Sequence, residues 1–64
     1  MSYVILRFPE VRKKVSLGKT ALYALMREGK FPKPIQLSKR AKGWIEADID
    51  RWIEERIADS QEVA

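Results

Sequence analysis

A chain of 64 residues with a net charge of +4 and neither cysteine nor histidine has room for one domain around one small apolar core. Disulfide staples, thiolate or imidazole metal sites and the commonest general base are excluded. The longest apolar run is the six residues Ala21 to Met26, with four from Tyr3 to Leu6, which argues against a membrane span or a signal-peptide core and makes a cytoplasmic protein the expectation.

The charge is segregated along the chain. Residues 1–45 hold eleven Lys/Arg against two acids, Glu10 and Glu28, for a net +9; residues 46–64 hold two Arg against seven acids, for a net −5. This pattern points to a basic front that meets a polyanion and an acidic end that meets water. The plain alternative is a solvated basic surface that keeps a small protein soluble.

In chain order, "YVILRF" reads as a short strand, and Pro9 suits the first position of a helix from Pro9 to Lys14 because its missing N–H has no partner there. Val11 and Val15, with Phe8 beside them, form a narrow apolar stripe. "SLG" interrupts, with Leu17 buried in the turn, and Gly18 begins a second helix. In "KTALYALMRE", Leu22, Leu25 and Met26 with Ala21 form the core face, while Thr20, Tyr23, Ala24 and Arg27 lie opposite. Gly29 ends the helix as a C′ glycine. Two short helices joined by a tight turn containing glycine are the pattern of a helix-turn-helix.

"FPKP" cannot be helical. "IQL" alternates like a half-buried strand, "SKRAKG" turns, and "WI" returns, giving a β-hairpin with a cationic tip. A third helix, "EADIDRWIEERIA", carries its acids at the positive end of the helix dipole and a core stripe of Ile49, Trp52, Ile53 and Ile57. The order strand, helix, turn, helix, basic hairpin, helix is that of a winged helix-turn-helix, mainly α with a small β-hairpin wing. It covers residues 1–58, and residues 59–64 are expected to be a flexible tail.

Enzymatic readings fail on chemistry. "LGKT" ends like a phosphate-binding Walker A loop, but Lys13 stands where that loop needs its first glycine. Ser16, Ser38 and Ser60 have no histidine to activate them. No catalytic residue, metal site or cofactor is expected. The outward face of the second helix is more informative: Lys19, Thr20, Tyr23 and Arg27 are donors near the start of a helix that fits a major groove. The hairpin cations Lys39, Arg40 and Lys42 suit phosphates or a narrow minor groove. Trp44 and Trp52 read as core, not as base-stacking platforms.

The stretches "PEV" (9–11), "LYALMREGKFPKPIQL" (22–37) and "GWIEADIDRWI" (43–53) resemble the AlpA family of phage and prophage regulators, small winged helix-turn-helix proteins akin to excisionases and the MerR DNA-binding domain. The resemblance covers residues 7 to about 58. It implies that Lys19, Thr20, Tyr23 and Arg27 occupy recognition-helix positions, that Lys39, Arg40 and Lys42 occupy the wing, and that Trp44 and Trp52 are core aromatics. Where the family commonly reads Thr-Gly-Leu-Ser across the turn, this chain has Val15-Ser16-Leu17-Gly18, and Ala24 stands where a cation is frequent.

The expectation is a non-enzymatic, sequence-specific, double-stranded-DNA-binding transcriptional regulator of prophage or mobile-element genes, nucleoid-associated. An excisionase-type recombination factor and a small protein-interaction adaptor are the alternatives. RNA polymerase or a recombinase are the further partners considered, with no membrane partner. The free protein is expected to be a monomer or weakly self-associating, and cooperative on DNA.

Overall fold

In the computed structural model, which describes residues 2–63, the chain forms β1 (Ile5–Leu6), α1 (Phe8–Val15), α2 (Lys19–Arg27), β2 (Ile35–Gln36), β3 (Lys42–Ile45) and α3 (Glu46–Val63). The chain enters α1 through Arg7, whose extended backbone N–H donates to the Glu10 carboxylate at 3.0 Å. That contact satisfies a donor left over at the helix start. The helix begins at Phe8, one residue before the expected Pro9, which still lies in the first turn where it costs nothing.

At the end of α1, Ser16 adopts a left-handed conformation with φ 58°. Gly18 caps α2 in extended conformation without a side chain to bond the exposed amides. The far end of α2 closes as a Schellman motif: Gly29, at φ 72°, donates to the Met26 carbonyl and Lys30 donates to that of Leu25. This is the glycine-dependent stop expected from the sequence.

Leu6, Val11, Leu22, Phe31, Trp44 and Ile49 form the buried core, with Leu25, Met26, Trp52 and Ile53 among the side chains packed against it. Ala21, expected on the core face of α2, is exposed, because one residue turns it about 100° from Leu22 around the helix. On α3, Ile49 is fully buried but Ile57 is 52% exposed, so the stripe expected to be core outlasts the core. The helix itself runs to Val63, where the sequence reading ended it at Ala58 and began a tail; Ala64 lies outside the described residues.

The strands form one antiparallel sheet in the order β1-β3-β2, with Leu6 opposite Trp44 and Ile35 opposite Gly43. The expected hairpin is therefore β2–β3, and the strand read in "YVILRF" is two residues that pair with the far edge of β3. Because Leu6 and Trp44 fill the inner face, register puts Ile35 on the outer face. Ile35 and Leu37 are 38% and 43% exposed, so "IQL" is less buried than its alternation suggested. Gly43 is needed where it stands: a Cβ there would lie 2.6 Å from Ile5 Cγ2 and 3.1 Å from the Leu6 carbonyl oxygen.

Between α2 and β2 the proline-bearing segment is held by side chains. The Trp44 indole donates to the Pro32 carbonyl at 2.9 Å and the Trp52 indole to that of Lys30 at 2.8 Å. Phe31 sits edge-on to Trp52 with ring centroids 4.9 Å apart. Across the other side of the core, Lys14 of α1 reaches Glu46 at 2.9 Å and Asp50 at 2.8 Å on α3.

Two stability predictions follow from these anchors. Trp44→Ala should cost about 3–5 kcal/mol, since it opens a cavity and leaves the Pro32 carbonyl without its donor; a urea midpoint near that of the wild type would contradict it. The bonds to Asp50 and then Glu46 raise the Lys14 ammonium above its ordinary 10.5. Its contribution is therefore complete below that value and fades as pH climbs through the raised one. Lys14→Met should lower the midpoint at neutral pH and flatten this alkaline loss, which urea titrations at rising pH would measure.

Candidate nucleic-acid interface

The α-helical period places Lys19, Tyr23 and Arg27 in one row of α2, with Thr20 beside it and the buried Leu22 about 100° around the helix from Tyr23. All four outward residues are exposed, whereas Ala24 between them is half-buried. Tyr23 is the ordered member of the row. Its ring stacks on Phe8, with centroids 5.2 Å apart and planes inclined by 20°, and Phe8 in turn lies 6.0 Å from Trp44. The Lys19 ammonium lies 6.0 Å from the Tyr23 centroid, at the edge of cation–π range. An aromatic run thus joins the root of the wing, the entry of α1 and the outward face of α2.

The wing tip is closed by backbone bonds between Leu37 and Ala41 (2.8 Å) and between Ala41 and Ser38 (3.4 Å). This turn leaves Lys39 and Arg40 exposed at the apex. Lys42 opposes Gln36 on β2 and shares the face of Trp44, two residues along β3. Between wing and helix runs a cleft of about 470 Å³. Tyr23 and Met26 contribute from α2; Lys39, Arg40 and Lys42 contribute from the wing; Arg7 and Phe8 contribute from the entry of α1.

The structure therefore brings four of the seven candidate residues, Tyr23, Lys39, Arg40 and Lys42, to one cleft. Lys19, Thr20 and Arg27 remain outside it on the exposed face of the same helix. Arg7 and Gln36 also line the cleft but were not singled out from the sequence. Their neighbours come from separate elements, which no local spacing encodes.

Ion pairing separates the cations into two classes. Among the described residues the pairs are Lys14 with Glu46 and Asp50, Lys30 with Glu28, Arg51 with Asp48, and Arg56 with Asp59. No such partner is found among them for Arg7, Lys19, Arg27, Lys39, Arg40 or Lys42, nor for Arg12, Lys13 and Lys33. Exposed charge of one sign converging without internal compensation creates a field suited to an external anion.

Comparison with known proteins gives a consistent pattern. The family described as "Prophage CP4-57 regulatory protein (AlpA)" matches residues 4–57. The chain is 34% identical over 58 residues to the "DNA-binding transcriptional activator AlpA" of Escherichia coli (strain K12), covering 81% of this chain and 83% of that protein. It is also 34% identical over 53 residues to an uncharacterized protein, ORF88, of Enterobacteria phage P4; that match covers 83% of this chain but spans only 60% of the phage protein's length. No solved structure matches the chain.

The aromatic run can be tested without a ligand. Stacking on Phe8 should shift the Tyr23 ring protons upfield in the NMR spectrum. Phe8→Leu should return them toward unstacked positions while costing less than about 1.5 kcal/mol of stability, because volume is nearly kept. Unmoved resonances in a folded variant would show that the stack does not order Tyr23.

Proposed function

The chain belongs to the AlpA family of prophage regulatory proteins, and from that premise we propose that it is a sequence-specific, double-stranded-DNA-binding regulator of prophage or mobile-element genes. The observation that carries this reading is the convergence of cations without acid partners among the described residues on the outward row of α2 and around the adjoining cleft, whereas Lys14, Lys30, Arg51 and Arg56 are paired with acids. In this reading α2 enters the major groove, where Thr20 and Arg27 address base edges and Lys19 and Tyr23 steady the helix. Lys39, Arg40 and Lys42 of the wing meet the neighbouring phosphates.

The E. coli relative is a transcriptional activator by name, which supports activation over repression, and hence RNA polymerase over a recombinase as the protein partner. The protein would then work at the nucleoid, in the cytoplasm. A single recognition helix of nine residues reads only three or four base pairs directly. Specificity in a genome then requires several copies on repeated sites, each a monomer or only weakly associated when free.

The experiment is a set of paired titrations on a duplex selected by the protein from a random pool and on a scrambled duplex. With about four to six phosphates met, log K should fall against log salt with a slope of roughly −4 to −5. Arg27→Ala and Thr20→Ala should erode discrimination between the duplexes by about 1–3 kcal/mol, whereas Lys39→Ala and Lys42→Ala should weaken both alike. Salt-insensitive binding, or wing variants that alter sequence preference, would overturn the assignment. A tight DNA-free dimer in sedimentation would overturn the side-by-side arrangement.

A further inference from the structure

We propose that the cleft between the wing and the entry of α1 seats one sugar–phosphate strand of the duplex, with Arg7 binding a phosphate across from Lys39, Arg40 and Lys42. The inference rests on the DNA-binding reading and deepens it by naming what fills the cleft.

Arg7 is held in place from both sides. Leu6 before it is buried and paired with Trp44; Phe8 after it is stacked on Tyr23. Its own backbone N–H is tied to Glu10 at 3.0 Å. The backbone is thus fixed while the side chain is exposed and lines the cleft. Glu10 directs its carboxylate to that N–H and makes no ion pair with the guanidinium among the described contacts.

Lys14 shows what this fold does with a cation that serves structure: it supplies two carboxylates within 2.9 Å. Among the described residues Arg7 and the three wing cations receive none, as is true of Arg12, Lys13 and Lys33; what sets these four apart is that they line one cleft. They approach one space from elements more than thirty residues apart in sequence, and the positive field they share there favours an entering anion. A planar guanidinium on the lip suits phosphate oxygens, which it can grip through two N–H groups.

The floor narrows the identity of that anion. Phe8, Met26, Pro34 and Trp44 line the cleft beneath the cations, an apolar and aromatic surface that gains nothing from a bare phosphate. A deoxyribose bears an apolar face next to its phosphates, so a nucleic-acid backbone satisfies rim and floor together. The cleft's volume of about 470 Å³ exceeds what one inorganic phosphate fills and lies in the range of sites for larger ligands. Such a strand would lie between α2 and the wing, which fixes the register of the recognition helix without reading sequence.

The test measures Arg7→Ala and Arg7→Lys on the selected and scrambled duplexes across salt concentrations, with denaturation curves to verify folding. Only the backbone of Arg7 caps α1, so both variants should unfold near the wild-type midpoint. Arg7→Ala should weaken the two duplexes by the same factor, about eightfold at 0.1 M salt, and reduce the salt slope by about 0.9; Arg7→Lys should keep most of the slope. A neutral methylphosphonate, placed at each phosphate in turn, should reveal one position that weakens the wild type but not Arg7→Ala. Inorganic phosphate at millimolar concentration should not displace the duplex beyond its ionic-strength effect.

An unchanged slope in Arg7→Ala, a loss confined to the selected duplex, or no methylphosphonate position coupled to Arg7 would overturn the site while leaving the DNA-binding reading intact. Wild-type protein that binds neither duplex would overturn that reading and the site with it.

Discussion

Two indole N–H groups hold this molecule in its working shape. The segment from Lys30 to Pro34 contains two prolines, so it can enter neither a helix nor a full strand ladder, yet its carbonyls still require donors. Trp44, from β3, and Trp52, from α3, supply them. Because this segment makes up most of the connection between α2 and the wing, its anchorage sets the distance between them and therefore the width of the cleft. Trp44 has further duties: its ring is core, and it is also the far member of the aromatic run that ends at Tyr23. Packing and presentation of the outward face are thus coupled through one side chain.

The segregation of charge along the chain has a structural half as well as a functional one. Seen only as a sequence, the acidic last third looks like a solvated surface. In the fold, Glu46 and Asp50 bind Lys14 and so tie α3 to α1, and Asp48 and Asp59 pair with arginines of their own helix. Exposed pairs of this kind contribute modestly to stability. Their larger effect is spatial: the acids of α3 neutralise Lys14 and the helix's own arginines, while the cations lining the α2–wing cleft have no acid partner among the described residues.

The elements most legible in the sequence were those whose determinants are local. The helical row of Lys19, Tyr23 and Arg27, the stop at Gly29 and the hairpin with its cationic tip all follow from periodicity and turn chemistry within a few residues. What could not be read depends on long-range placement. Ala21 belongs to the right helix but lies outside the arc covered by the core. Ile35 and Leu37 alternate correctly, yet the register set by Leu6 and Trp44 directs them outward. Ile57 continues an apolar stripe past the last element able to cover it. Arg7 adjoins a strand only two residues long, too short for any period, and gains its neighbours from the wing and α2.

The left-handed residue at the end of α1 has a consequence for how such a protein changes over generations. Ser16 holds a conformation that side-chain-bearing residues adopt at a cost of about 1–2 kcal/mol, a large share of what so small a core can supply. Glycine would relieve that strain at some expense in unfolded-chain entropy. Ser16 is exposed and is not among the residues lining the α2–wing cleft. One codon change at the turn can therefore act as a stability reserve, offsetting destabilising substitutions on α2 as its exposed face diverges.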